Sequence, residues 1–136
     1  MPFTLAAVHA YAMKLPDVTV GTRWAHRTWL IRDNGFIWER PLGKRDTERL
    51  IEAGEVPPRD PILGVRTESL DVKDALLTMD LPGFFTIQHF NNYPAVLVEL
   101  RKARAADVKM AIEQAYRAVA ATAPAKRRTT KKKKKR

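Results

Sequence analysis

Cysteine is absent from all 136 residues, which excludes disulfides, thiolate metal sites, zinc ribbons and cysteine nucleophiles. Serine occurs once, as Ser69 in Glu68-Ser69-Leu70-Asp71, without the flanking glycines that expose a nucleophile at a strand-to-helix elbow. A helix-start or turn role suits it better. Glycine is scarce, at six residues. Gly43-Lys44 lacks both the earlier glycine and the following hydroxyl residue of a phosphate-cradling loop. No apolar run approaches the roughly 18 residues of a membrane span. Met1 to Lys14 lacks the charged-then-apolar order of an export signal. These absences imply a cytoplasmic protein with no membrane partner.

Acidic residues are also missing in two places. None precedes Asp17, and none occurs from Ala121 to the end. The second gap matters more, because nine of the 25 Lys and Arg residues lie there, leaving 16 bases against 15 acids before it. The formal charge of +10 is therefore almost entirely a property of the tail. The remaining composition, 45% apolar and 29% charged, is that of a globular protein, and the length suits one domain.

Periodicity locates the elements. Thr4 is placed to cap a helix carrying Leu5, Val8, Ala12 and Leu15 on one stripe, stopped by Pro16. Thr28 to Arg32 and Phe36 to Arg40 read as a hairpin around a three-residue loop, Asp33-Asn34-Gly35, with Gly35 in the left-handed position. Trp29 pairs with Ile31 on one face, and Phe36 with Trp38 on another. Three tryptophans, Trp24, Trp29 and Trp38, have two readings, a stacking platform or core, and in so small a sheet they are expected in the core. Pro41 ends the hairpin. Asp46 to Ala53 reads as a short helix with Leu50 and Ile51 inward and Gly54 as its stop. A proline-rich loop, Glu55 to Pro61, leads to a strand over Ile62 to Thr67. Asp71, with Asp74 three residues on, caps the next helix, whose Leu76 and Leu77 face the core and which Pro82-Gly83 ends. Phe84 to Phe90 and Tyr93 to Leu100 read as strands around Asn91-Asn92, the second half-buried because Val96, Val98 and Leu100 alternate with Leu97 and Glu99. From Asp107 to Ala120, Val108, Ile112, Ala115, Tyr116 and Val119 recur at helical spacing. The expectation is an α+β single-domain sandwich, an antiparallel four- to five-stranded sheet with N- and C-terminal helices on one face.

Several phrases in this order resemble the MmcQ/YjbR family. They are the helix ending in Leu15-Pro16, the Trp29-to-Trp38 hairpin, His89-Phe90-Asn91-Asn92-Tyr93-Pro94 followed by Ala95-Val96-Leu97-Val98, and the closing helix with Ala115-Tyr116-Arg117. Together they span almost all of residues 4 to 120. Asn91-Asn92 departs from a glycine-rich version of that turn. The resemblance implies a frataxin-like (CyaY-like) fold for residues 1–120, the folded domain, and a DNA-binding protein. Iron-handling frataxins resemble one another in an acidic ridge on the first helix. The acid-free first helix here has no oxygen ligands for such an ion, and no metal or cofactor is expected.

Catalysis finds little support. His9, His26 and His89 are far apart and none lies at i,i+4 with another, so no zinc-helix motif exists. Asp71 and Asp74 are explained as caps. His89, Asn92 and Tyr93 at a tight turn have two readings: Tyr93-Pro94 shapes the turn while His89 bonds to backbone, or the three form a ligand edge that stacks on a base. In the tail, residues 121–136, Lys126, Arg127, Arg128, Lys131, Lys132, Lys133, Lys134, Lys135 and Arg136 place nine cations in eleven positions. So dense a run of like charge repels itself and is expected to be disordered. Its spacing matches phosphates, and no lipid-anchor or amphipathic signal accompanies it. The expected function is non-enzymatic, sequence-independent DNA binding by a monomer, with RNA as a second polyanion. Arg32, Arg40 and Lys44, beside Arg27 and Arg45, are the contributors expected from the body. The other function carried forward is a small-ligand or protein interaction module with an incidental tail.

Overall fold

Thr4 stands in extended backbone, and its hydroxyl accepts a hydrogen bond from the Ala7 amide at 3.1 Å, so helix α1 (Leu5–Met13) starts with a filled cap. Val8 and Ala12 are fully buried, with Leu5 and Leu15 packed at the edge of the same core. The computed structural model describes residues 3–122. Of the expected tail, residues 121–136, Ala121 and Thr122 instead belong to the closing helix, and 123–136, including Lys126 to Arg136, lie outside the described residues.

The sheet has six strands, one more than the upper expectation. They are β1 (Val18–Arg23), β2 (His26–Ile31), β3 (Asn34–Glu39), β4 (Ile62–Arg66), β5 (Phe84–Phe85) and β6 (Ala95–Glu99). Their order is β1-β2-β3-β4-β6-β5, and every neighbouring pair is antiparallel. The additional strand is β1, which pairs along its whole length with β2. Both opening connections are two-residue turns with positive φ throughout: Trp24 (54°) and Ala25 (67°), then Arg32 (47°) and Asp33 (69°). Left-handed residues at both positions match the right-handed twist of the flanking strands. The three-residue loop read from Asp33-Asn34-Gly35 is thus corrected. Asn34 already pairs with Ile31, its amide donates to the Arg32 carbonyl at 2.8 Å, and Gly35 sits in β3 opposite Leu30.

A bulge decides which aromatics go where. Trp29 faces Ile37 but Leu30 faces Gly35, so Phe36 is the extra residue. Phe36 and Ile37 consequently both enter the principal core, and Trp38 turns to the opposite face. The expected sharing of one face by Phe36 and Trp38 fails for this reason. On the first face, Trp29, Ile31, Leu63, Val65, Val96 and Val98 meet Val8 and Ala12 of α1, Leu76 of α3 (Leu70–Thr78) and Val108, Ile112, Ala115 and Val119 of α4 (Ala105–Thr122). The two terminal helices do lie on one face, as expected.

Ser69, not Asp71, caps α3: its hydroxyl accepts from the Val72 amide at 3.1 Å, and Asp71 merely lies in the first turn. Helix α2 (Lys44–Glu52) ends at Gly54, whose φ of 82° lets the Glu55 amide reach back to the Leu50 carbonyl at 2.9 Å. Leu50 packs inward, but Ile51 is 59% exposed, against expectation, because only one side of this short helix meets the sheet. Phe84 to Phe90 is not one strand. After β5 the chain turns into a 3-10 helix, Gln88–Phe90, that folds over the second face. There Ile62, Ile87, Phe90, Ala95 and Leu97 form a smaller core with Trp38 and Leu50 beside it. Strand β6 is therefore buried on both faces, not half-buried, and even Glu99 is covered, accepting from the Arg59 amide at 3.0 Å.

Gly64 lies opposite Trp38 across β3 and β4, and a Cβ there would overlap the indole. Gly64→Ala is expected to displace that ring and to cost about 1–3 kcal/mol, the usual range for overpacking. Urea unfolding followed by tryptophan fluorescence measures both effects.

Candidate functional site

Alternation along the strands puts His26, Thr28, Gly35, Trp38 and Arg66 on the face away from α1 and α4. Helix α2 and the 3-10 turn cover only part of that face. The uncovered part, towards the β1–β2 hairpin, is a cleft of about 740 Å3. Thr28, Gly35 and Trp38 supply its sheet surface; Arg23, Trp24 and His26 come from the hairpin; Arg40, Arg66, His89, Phe90 and Tyr93 complete the lining. No Asp or Glu lines it among the described residues.

The three arginines differ. Arg40 is engaged: it donates to the Pro41 carbonyl at 2.6 Å, pairs with Asp46 at 3.5 Å, and lies 5.5 Å from the centre of the Phe90 ring. Arg23 is exposed, with a single contact at 3.4 Å to the Thr22 carbonyl. Arg66 has a buried Nε with no hydrogen-bond partner among the described residues, and its side chain also borders a smaller hollow of about 400 Å3 beside α4. Among the aromatics, Phe90 and Tyr93 pack edge to face at 5.4 Å, and Trp38 meets Tyr93 at 6.5 Å. Trp24 is 93% exposed. The expectation that all three tryptophans are core thus holds fully only for Trp29.

The loop that carries His89 and Tyr93 is tied down by a residue the sequence reading passed over. Lys73 of α3 is buried, and its ammonium donates to the Phe90 carbonyl at 2.5 Å and the Tyr93 carbonyl at 2.8 Å. Burial holds its pKa below the usual 10.5, with the Asp74 carboxylate opposing. A lowered folded pKa means that, between that value and 10.5, the unfolded chain binds more protons than the folded one, so this group adds stability as pH rises through that range. Relative to Lys73→Met, the wild-type chain is expected to gain stability as pH climbs towards 10.5. Urea midpoints taken at steps above pH 8 test this, and parallel curves for the two proteins would refute it. Tyr11 works in the other direction at higher pH. Its hydroxyl donates to Glu113, and that bond, with burial, raises its pKa above 10.0.

Of the expected site residues, Arg40, His89 and Tyr93 do share the cleft. Asn92 does not line it; it is an exposed turn residue with φ of 68°, a conformation that asparagine tolerates. Arg32 lies in the turn between β2 and β3 and does not line the cleft. There it donates to the Ala120 carbonyl at 3.2 Å and pairs with Asp17 at 3.5 Å, serving the C-terminal end of α4. Lys44 begins α2, exposed and outside the cleft lining. Arg27 is ion-paired to Glu39 at 2.7 Å. The backbone bond expected of His89 is not made by its side chain among the described residues. His26 and His89 both border the cleft, whereas His9 accepts the Trp29 indole N–H at 3.1 Å. Among the described residues no group of three or more His, Asp or Glu gathers to hold a metal, and no helix is long and apolar enough to cross a membrane. Arg23, His26 and Arg66 were missed and Trp24 was assigned to the core; the alternation Val18-Thr19-Val20 was the available signal for β1, and with it the hairpin that carries Arg23, Trp24 and His26.

Comparison with known proteins finds the uncharacterized protein Rv2570 of Mycobacterium tuberculosis and the uncharacterized protein Mb2600 of Mycobacterium bovis, each 43% identical to this chain over 93 residues. The match covers 68% of this chain and 71% of each relative. No family model matches, and no solved structure matches.

Proposed function

The chain belongs to the family of these uncharacterized mycobacterial proteins, and from that starting point we propose that it is a non-enzymatic DNA-binding protein. The observation that carries the reading is the segregation of positive charge. Nine cations occupy positions 126–136, while the preceding chain is near neutral and keeps its acids out of one cleft that three arginines line. Each lysine that neutralises a phosphate releases condensed counterions, and the compact ammonium makes such contacts without sequence choice. The tail provides most of the affinity; Arg23 and Arg66, the cleft arginines without an ion pair, add the body's share. Arg27 and Arg32 are engaged in ion pairs, and Lys44 lies outside the cleft lining. The resemblance to MmcQ/YjbR proteins supports the same reading, which places the protein on the nucleoid in the cytoplasm.

A second reading is favoured by one observation, the size of the cleft. A volume of about 740 Å3 falls within the roughly 300–1,000 Å3 of ligand sites, so a small-ligand module with an incidental tail also fits. Titrating a labelled DNA duplex with the full chain and with a chain ending at Ala125, which keeps all of α4, separates the two. Equal affinity of both proteins for the duplex would overturn the DNA-binding reading.

A further inference from the structure

We propose that the cleft takes one unpaired nucleotide, its base stacked on Trp24 and its phosphate held by Arg66 and Arg23. The proposal rests on the nucleic-acid reading above and specifies what its folded part recognises. Trp24 is the first reason. An indole left 93% exposed gains nothing from the protein's core. Its backbone is also in the left-handed region, at φ 54°, where a bulky side chain is disfavoured and Asn or Gly would serve the turn better. Folding explains neither the residue type nor its exposure, whereas a flat, sequence-tolerant platform for a base explains both.

Arg66 is the second reason. Its buried Nε lacks an acceptor, and nothing acidic lines the cleft beside it among the described residues. No hydrogen bond or ion pair engages the rest of the guanidinium among the described residues, which leaves its terminal N–H groups for phosphate oxygens. Arg40, by contrast, is already satisfied by Asp46 and the Pro41 carbonyl. Trp38 and the 42% exposed Tyr93 also line the cleft, so it has aromatic sides. A base inside a duplex offers only its edges to the grooves. An aromatic cleft of this size is matched by a base that has left its stack or was never in one.

The test uses the full chain and three probes: a sixteen-residue oligodeoxythymidylate, a blunt duplex of equal length, and thymidine 5′-monophosphate, with ribose 5-phosphate as the baseless control. Trp24→Ala is expected to weaken binding of the single strand roughly 5- to 100-fold, the range that one base–aromatic stack supplies, with duplex binding unchanged. Trp24→Phe restores most of the loss, and Arg66→Gln weakens the strand and the mononucleotide together. Trp24 is exposed enough that its replacement leaves the fold intact. Trp24-dependent binding of the mononucleotide, with no preference for strand over duplex, would support the same site and identify a free nucleotide as its source. Strand binding indifferent to Trp24, or strand and duplex weakened equally, overturns the proposal while leaving DNA binding in place. Failure of the full chain to bind either polymer in dilute buffer overturns both.

Discussion

Raising salt from 50 to 200 mM is expected to weaken binding of the full chain to a DNA duplex by roughly 100,000- to 1,000,000-fold, because nine tail contacts and the two cleft arginines, at about 0.9 counterion each, give a log–log slope near −10. Of the cations proposed to touch DNA, the chain ending at Ala125 keeps the two cleft arginines that have no ion pair among the described residues, Arg23 and Arg66. Two contacts give a slope of about −2 and a loss of only about tenfold to twentyfold over the same range. The contrast is large because the cations are so unevenly placed: nine crowd into positions 126–136 with no acid among them, whereas the preceding chain sets 16 bases against 15 acids. Electrostatic attraction between exposed charges is screened within about 10 Å at 0.1 M salt, so distant body charges do not substitute for the tail. Fluorescence anisotropy across five salt concentrations measures both slopes. Equal slopes for the two chains would show that the tail does not engage the backbone.

The elements with one dominant signal were legible in the sequence. Thr4 caps α1 and the heptad-like spacing of Val108, Ile112, Ala115 and Val119 marks α4, because capping and helical periodicity act within a few residues. The hairpin was legible but its turn was not. Asn34-Gly35 is a strong turn signal by composition, yet the structure puts Arg32 and Asp33 in the left-handed positions. What overrides local preference is pairing across the sheet: the actual register lets Trp29 and Ile31 both face the core, and the bulge at Phe36 adds Ile37 to it. Strand β1 escaped because Val18-Thr19-Val20 is short and its residues are mostly exposed, so periodicity had little burial to reflect.

The candidate site was half legible for a related reason. His89 and Tyr93 sit in a phrase whose polar and aromatic residues stand out between apolar runs, so a scan along the chain finds them. Their partners Arg23, Trp24 and His26 lie more than sixty residues earlier, and Arg66 more than twenty. Only the order β1-β2-β3-β4-β6 assembles them on one face. Lys73 was the hardest to see. A lysine in a helix is ordinarily read as a solvated side chain, and nothing in Val72-Lys73-Asp74 announces two carbonyls waiting 17 and 20 residues away.

Replacing Trp29 by alanine is expected to destabilise the protein by about 3–5 kcal/mol, the usual range for removing a fully buried aromatic side chain. Trp29 has 0% exposure, packs among α1, α4 and three strands, and gives its indole N–H to His9. A domain of this size holds about 5–15 kcal/mol in all, so the melting temperature should drop by roughly 10–25 °C. Trp29→Phe keeps most of the ring volume and loses one hydrogen bond, with an expected cost of about 1–2 kcal/mol. Trp24→Ala should change stability by no more than about 0.5 kcal/mol, as for an ordinary surface site. The two alanine variants remove the same side chain five residues apart in sequence, one from a filled core and one from solvent. Urea midpoints of Trp24→Ala and Trp29→Ala that agree would contradict this assignment of the two residues, and with it the idea that Trp24 is kept for something other than folding.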